Sequence, residues 1–170
     1  MKAVVDTNVI AYFLLGTREF ADEVRPFWSA VNEIMAPTLW EAELGNVVWM
    51  AVRAGALPAA EAPARLTLAG RLGIHSISSR RLWHGALLRA IQSGTAVYDT
   101  LFVELADREG VPLVTFDARL IRAWPKVCVR PRDLRVGRAK RRSYTPIAVS
   151  RLTTGPSFSQ KGGKRMATAE

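Results

Sequence analysis

The chain has 170 residues, of which 49% are hydrophobic, and carries a formal net charge of +9. This length suits one domain with a core of its own, and the hydrophobic content excludes a chain that is disordered throughout. No apolar run approaches the roughly 20 residues of a membrane-spanning helix, and the N-terminus reaches Asp6 too early for a signal peptide. The one cysteine, Cys128, suits a reducing compartment, so we expect a cytoplasmic protein.

Short apolar strands alternate with helical segments along residues 1–130. Strands are predicted over residues 2–6, 34–36, 74–77, 111–116 and 127–129. Helices are predicted over residues 8–15, 18–32, 38–53, 58–72, 80–92, 97–109 and 117–124, with Pro26 bending the second and Thr38 capping the third. This alternation predicts an α/β fold, in which helices cover both faces of a parallel sheet.

Residues outside the acidic positions are expected to be structural. Helix 38–53 is apolar on nearly every side, which predicts burial between neighbouring elements. Cys128 is interpreted as a small buried hydrophobe, and neither His75 nor His84 has a neighbour at metal-ligand spacing. The core or a dimer interface is the expected place for the five tryptophans, Trp28, Trp40, Trp49, Trp83 and Trp124.

The apolar pattern ends near Arg130, and most of the positive charge follows it. Residues 131–170 hold ten Lys and Arg residues against two acidic ones, Asp133 and Glu170. We expect this segment to be a disordered basic extension, because it buries too little apolar surface to offset the entropy of ordering. The cluster Lys140-Arg141-Arg142 could instead contact phosphates and raise the affinity for RNA.

Two of the predicted strands end on an aspartate, at Asp6 and at Asp117. The carboxyl ends of parallel strands form the crevice where open α/β sheets bind ligands, so both carboxylates are expected in one cleft. Each could also simply cap the helix that follows it. Glu43 lies within an apolar helix, where a charge is costly unless it meets a cation or a polar cleft. Asp99 begins a helix, which is a weak signal by itself.

Convergence of these four carboxylates would require a cation. Two carboxylates about 4 Å apart repel by roughly 4 kcal/mol at an effective dielectric constant of about 20. Oxygen ligands without cysteine or histidine favour Mg²⁺ or Mn²⁺ over zinc. Such an ion polarises a phosphate and activates a water molecule, so the expected chemistry is phosphodiester hydrolysis.

The residues around these carboxylates resemble the motifs of the PIN-domain family. Val4-Val5-Asp6-Thr7-Asn8 is similar to the opening of these proteins, and Ala42-Glu43-Leu44-Gly45-Asn46-Val47 to their second motif. Val97-Tyr98-Asp99-Thr100-Leu101 and the segment from Ala106 to Asp117 are similar to the third and fourth. The resemblance covers residues 1–130 and is greatest to the small bacterial PIN proteins that act as VapC-type toxins in toxin–antitoxin pairs.

This resemblance implies a three-layer α/β sandwich with a short-stranded, mostly parallel central sheet. It also implies a magnesium-dependent endoribonuclease that forms a homodimer and is inhibited by a cognate antitoxin. The family's acidic positions fall on Asp6, Glu43, Asp99 and Asp117, and its supporting polar positions on Asn8, Asn46 and Thr115.

Two choices stay open at this point. Glu41 competes with Glu43, and because it lies two residues away on the helix, only one of them can face the cleft; the spacing to Asn46 favours Glu43. A housekeeping nuclease without an antitoxin and a catalytically silent module that binds RNA or protein are the alternative functions.

Overall fold

The computed structural model describes residues 1–134. The predictions made for the basic segment beyond Leu134, including Lys140-Arg141-Arg142, lie outside the described residues. Residues 131–134 continue the body: Pro131–Asp133 forms a short 3₁₀ turn with Pro131 buried, and Leu134 packs against the core. Arg130 and Arg132 both pair with Glu23, which ties this turn to the rest of the domain.

Five strands form one sheet, and every pair of neighbours is parallel. They are β1 (Lys2–Val5), β2 (Glu33–Pro37), β3 (Ile74–Ile77), β4 (Leu113–Val114) and β5 (Cys128–Val129), in the spatial order β3-β2-β1-β4-β5. The central strand β1 is buried along Ala3, Val4 and Val5, as expected of a strand that helices cover on both faces. Because all strands run in one direction, their carboxyl ends lie along one edge of the sheet.

Seven α-helices flank the sheet in the described residues. They are α1 (Thr7–Leu15), α2 (Ala21–Ala30), α3 (Leu39–Arg53), α4 (Ala62–Ala69), α5 (Trp83–Ser93), α6 (Val97–Glu109) and α7 (Ala118–Ala123). α6 packs along β1, β2 and β4 and carries α5 on its outer side, whereas α1 packs with α2, α3 and α4. This arrangement confirms the predicted sandwich. None of the described helices is long and apolar enough to cross a membrane.

Several predicted elements are shorter than expected, for local reasons. β4 covers two residues because the chain leaves the ladder after Thr115, whose N–H still donates to the Val129 carbonyl and whose hydroxyl accepts a hydrogen bond from the Asp117 N–H. The helix expected over residues 18–32 divides at Ala21, after a 3₁₀ turn, and not at Pro26, which lies inside α2. Similar 3₁₀ turns replace the predicted first turns of α4 and α5.

The expectation that α3 is buried on nearly every side is wrong. Only the row Trp40, Leu44 and Val48, spaced four residues apart, is buried, because α1, α4 and β2 pack against part of the helix surface. Trp49 and Met50 lie on the other side and are 53% and 55% exposed. Thr38 likewise makes no side-chain cap, and its hydroxyl lies 3.1 Å from that of Ser79 instead.

Candidate active site

Asp6 follows β1 directly. Its hydrogen bonds connect it to β4, to the residue after β4 and to the start of α1. Its N–H donates to the Val114 carbonyl at 3.0 Å, and its extended backbone starts α1. Oδ2 accepts from Thr115 Oγ1 at 2.6 Å and from Asn8 Nδ2 at 2.8 Å, whereas the capping bond from the Asn8 N–H to Oδ1 is long, at 3.4 Å. Asp6 therefore caps α1 only weakly, and its shorter bonds join the ends of β1 and β4.

Burial raises the pKa of Asp6 to about 6. The hydrogen bonds from Thr115 and from the Asn8 backbone act in the opposite direction, and the negative charges of Glu43 and Asp99 raise the pKa further. Near neutral pH, the protein's own interactions thus do not fully balance the negative charge of an ionised Asp6. A positive charge beside this carboxylate would stabilise it.

Thr115 and Asn8 form a polar junction around Asp6. The Thr115 hydroxyl is fully buried; it donates to Asp6 and accepts from Asn8 Nδ2 at 3.2 Å and from the Asp117 N–H at 2.9 Å. Asn8 Oδ1 accepts from the Phe116 N–H at 3.2 Å. These bonds hold the segment between β4 and α7 against the start of α1, so the positions of Asp6 and Asp117 depend on each other.

Glu43 reaches the site from α3, and Glu41 does not. Thr7 Oγ1 donates to Glu43 Oε2 at 2.5 Å, which places the Glu43 carboxylate beside the start of α1. Burial raises the pKa of Glu43, and the charge of Asp99 adds to this effect. Glu41 is exposed and accepts from Ser76 Oγ at 2.7 Å, so it faces β3. The geometry agrees with the choice of Glu43 over Glu41.

Asn46, the other polar position expected to support the site, contacts a different group. Its side-chain amide donates to Met50 Sδ at 3.6 Å on the exposed side of α3. Within residues 1–134, none of its hydrogen bonds reaches the four carboxylates.

Asp99 lies in the first turn of α6, where burial raises its pKa and the negative charge of Asp117 raises it further. The carboxylate is half-buried, and Arg119 partly offsets these two effects. The negative charge of Asp99 therefore interacts with those of Asp6 and Glu43 on one side and with that of Asp117 on the other.

Asp117 is held by Arg119, a residue that the sequence did not single out. Asp117 caps α7, with Oδ1 accepting from the Arg119 N–H at 2.7 Å and Oδ2 from Arg119 Nη2 at 3.0 Å. Burial alone would raise the pKa of Asp117, but its bonds to Arg119 and Leu120 outweigh burial and leave it below its usual value. The signal in the sequence that could have identified Arg119 is its place, two positions after an aspartate that follows a strand.

The four carboxylates interact electrostatically in a chain, Glu43 and Asp6 with Asp99, and Asp99 with Asp117. In the part of the chain that the structure describes, no three His, Cys, Asp or Glu side chains lie close enough together to ligate one ion as they stand. The arrangement is a row of oxygen donors along the carboxyl edge of the sheet, with Arg119 at one end.

The remaining candidate residues take structural or surface positions. Cys128 is buried in β5, and burial raises the pKa of its thiol to about 12, so it is a poor nucleophile and matches the prediction of a buried hydrophobe. His75 and His84 are both exposed. Trp40 is buried with its indole N–H donating to Ser76 Oγ at 2.9 Å, whereas Trp49 and Trp83 are half exposed.

Comparisons with known proteins identify the family to which the chain belongs. The family model for the PIN domain matches residues 3–124. The chain is 34% identical over 126 residues to ribonuclease VapC3 of Mycobacterium tuberculosis (strain ATCC 25618 / H37Rv), covering 73% of this chain and 88% of the relative. It is 30% identical over 129 residues to ribonuclease VapC3 of Pyrobaculum aerophilum, covering 74% of this chain and 96% of that protein. The chain therefore belongs to the PIN domain family.

Proposed function

We propose that this chain is a metal-dependent endoribonuclease in which Asp6, Glu43, Asp99 and Asp117 form the catalytic site. The observation that carries the proposal is the row of carboxylates at the carboxyl edge of the sheet, with the pKa of the partly buried Asp6 raised to about 6. Protein folding alone does not reward the placement of a partly buried anion beside two further carboxylates. Such perturbed groups cluster at functional sites, and the similar proteins are named ribonucleases.

The donor set fits a divalent cation of the magnesium or manganese type. All four groups are carboxylate oxygens, and the pKa values of Asp6, Glu43 and Asp99 are raised, which marks negative charge that the protein does not balance. Asp6, Glu43, Asp99 and Asp117 would hold such an ion, which would balance their charge and supply Lewis-acid activation of a phosphate and of a water molecule.

The protein's own residues orient these carboxylates for that task. Thr115 and Asn8 fix the orientation of Asp6 through its Oδ2, and Thr7 fixes that of Glu43. Hydrogen bonds that orient ligating carboxylates are typical of metal sites, and their loss costs roughly 10–100-fold in metal affinity or activity. Asn8 and Thr115 therefore act as positioning residues in this proposal, and Thr7 has the same role for Glu43.

The biological role that fits best is the toxin of a type II toxin–antitoxin pair, acting on RNA in the cytoplasm and held inactive by an antitoxin protein. The motif resemblance and the VapC names of its relatives support this role. Production of the chain in bacterial cells should arrest growth, and co-production of the product of a small neighbouring gene should relieve the arrest. Cleavage without such relief by any neighbouring gene favours a housekeeping nuclease.

The decisive experiment compares two glutamates of one helix. Purified protein is incubated with structured RNAs in Mg²⁺, Mn²⁺ or EDTA, and cleavage should require the metal. Glu43→Gln and Asp99→Asn should each lose at least about 100-fold in cleavage rate, because each removes a proposed metal ligand. The matched control is Glu41→Gln, which carries the same change on α3 but faces Ser76 and should cleave like the wild type.

Circular dichroism and melting temperature must show that all three variants fold. Equal loss in Glu41→Gln and Glu43→Gln would mean that helix stability, and not metal binding, explains the effect. Wild-type cleavage by both Glu43→Gln and Asp99→Asn would refute the assignment, as would undiminished cleavage in EDTA.

A further inference from the structure

A cleft of about 710 Å³ opens beside the acidic row, next to Asp99 and Asp117. One wall is the end of α5 with the loop that follows it, residues 93–96, and the other is α7. Its volume falls in the range of about 300–1,000 Å³ that is usual for small-molecule sites. Because Asp99 and Asp117 belong both to the proposed catalytic site and to the rim of this cleft, a ligand here lies directly beside that site.

Two arginines of α7 give the far side of the cleft a positive charge. Arg119 and Arg122 both line it, and they lie three residues apart, hence on neighbouring positions of one helix face. The Arg119 side chain is 77% exposed although it pairs with Asp117. Within residues 1–134 the side chain of Arg122 makes no hydrogen bond or ion pair, so its guanidinium is available to a ligand. The planar guanidinium group suits bidentate binding of phosphate oxygens.

An exposed aromatic ring completes the lining. Tyr98 precedes Asp99 in the first turn of α6, lines the cleft and is 58% exposed. Successive bases of a single strand stack on exposed aromatic rings, and cationic side chains beside the rings hold the backbone.

We infer that this cleft binds one nucleotide of single-stranded RNA beside the scissile bond, with its base stacked on Tyr98 and its phosphate bound by Arg122. Arg119 lies between this subsite and the acidic row. The inference rests on the proposed nuclease function and names two residues that bind the substrate beside that site. Only an unpaired base exposes its face to an aromatic ring, so a duplex of the same sequence is the matched comparison.

Binding and cleavage by Tyr98→Ala and Arg122→Ala test the inference. The ligand is a fluorescently labelled single-stranded RNA oligomer, with the same sequence as a duplex for comparison. Binding is measured by anisotropy in EDTA, and KM and kcat are measured in Mg²⁺. Tyr98→Phe keeps the ring, and Arg71→Ala removes an exposed arginine that does not line the cleft.

Each substitution should leave its own signature. Tyr98→Ala should weaken binding of the single strand and raise KM roughly tenfold, the size expected for the loss of one base stack, while Tyr98→Phe stays near wild type. Arg122→Ala should raise KM and reduce the slope of log affinity against log salt by about 0.7, the contribution of one phosphate contact on a single strand. The salt slope of Tyr98→Ala should not change, because stacking involves no phosphate. Arg71→Ala should match the wild type in both quantities.

Three outcomes overturn the inference. They are wild-type affinity and KM in both Tyr98→Ala and Arg122→Ala, duplex RNA bound as tightly as the single strand, and an equal loss in Arg71→Ala. Failure of the nuclease proposal is distinguishable from these. A protein that cleaves no RNA but binds the single strand in a manner dependent on Tyr98 and Arg122 retains the subsite and loses the catalytic assignment. Tyr98 and Arg122 are exposed, and unchanged melting temperatures will show that both variants fold.

Discussion

Among the single residues, Asp6 has the charge that the protein balances least. Burial is the largest cause of its raised pKa, and Glu43 and Asp99 add like charge around it. Its hydrogen bonds from Thr115 and Asn8 offset only part of this cost, since its pKa still rises to about 6. The same carboxylate is therefore both well oriented and electrostatically unfavourable in the absence of a cation.

The raised pKa of Asp6 predicts how the stability of the protein changes with pH in EDTA. The Asp6 pKa is about 6 in the folded protein and about 4 in an unfolded chain. Between these values the folded state holds more protons, so the free energy of unfolding falls as pH rises and stays lower at pH 7. With about 1.4 kcal/mol for each pH unit between the two pKa values, the loss is at most about 3 kcal/mol.

Asp6→Asn removes this titration, and urea unfolding at pH 4, 5, 6 and 7 measures the difference. The variant should show a flatter profile and be at least as stable as the wild type at pH 7 in EDTA. The exposed substitution Asp133→Asn is the control and should keep the wild-type slope. A variant much less stable at pH 7 would mean that the bonds from Thr115 and Asn8 outweigh the burial of the charge.

The ion pair between Arg119 and Asp117 predicts that Arg119 competes with a bound cation for the Asp117 carboxylate. The guanidinium and a bound cation would share one carboxylate, and Arg119 also offsets the charge of Asp99. Arg119→Ala should therefore bind Mn²⁺ more tightly, by up to about fivefold, the range of an exposed ion pair. Titration calorimetry of the free protein measures this without any substrate.

The control for this competition is Arg122→Ala, which removes a nearby arginine that has no ion pair with Asp117 in the described residues. It should change the affinity for Mn²⁺ less than Arg119→Ala does. Weaker Mn²⁺ binding in Arg119→Ala would indicate that Arg119 orients Asp117 for the metal and does not compete with it.

Among the helices and strands, the packing of α5 against α6 helps to determine the position of Asp99, which lies in the first turn of α6. Glu104 of α6 is buried and is bound by Arg89 Nε at 2.7 Å and Arg108 Nε at 2.5 Å. Gly85 of α5 lies directly against this carboxylate, and a Cβ at that position would come within 2.1 Å of Glu104 Oε1. The absence of a side chain at residue 85 is thus what allows the two helices and the ion pairs to fit together.

Gly85→Ala should therefore destabilise the protein by about 2–4 kcal/mol, because it displaces a buried, paired carboxylate. Gly45→Ala is the matched control, since Gly45 is also helical but has open space where the Cβ would lie. This control should be neutral or stabilising by up to about 1 kcal/mol, the difference in helix propensity between the two residues. Thermal unfolding distinguishes the two, and equal stability of both variants would contradict the packing argument.

For the whole molecule, the outer face of α5 is the candidate for self-association. Trp83, Leu87 and Ile91 recur at four-residue spacing and are exposed, Ile91 by 71%. Such an apolar row suits an isologous contact with the same row of a second copy, because an isologous dimer uses one patch on both subunits. The homodimer stays a prediction, and we expect it to form through this face.

Ile91→Arg should then convert the dimer into a monomer, because the dimer would bring two arginines together in an apolar contact. Light scattering on a sizing column measures the mass. The control is Leu66→Arg, which changes an exposed leucine of α4 and should remain a dimer. A wild-type monomer, or a dimer that survives Ile91→Arg, excludes this face as the interface.

The sequence by itself determined the order of strands and helices along the chain, the aspartates that follow β1 and β4, and the family. These features depend on residues close together in the chain: apolar runs, strand ends and helix-ending glycines. Gly94 and Gly110, for example, follow α5 and α6 with φ of 70° and 64°, a conformation that glycine adopts without strain.

Only the tertiary structure decided which groups meet. Thr115 and Asp6 are separated by 109 residues, and Thr7 and Glu43 by 36, so no local pattern reveals these bonds. The same is true of the burial of one face of α3. Helical spacing describes which residues share a face, but the sheet and its neighbouring helices determine which face is covered, because burial is a property of the packed chain. For that reason Glu43 reaches the acidic row while Glu41, two residues earlier, faces Ser76.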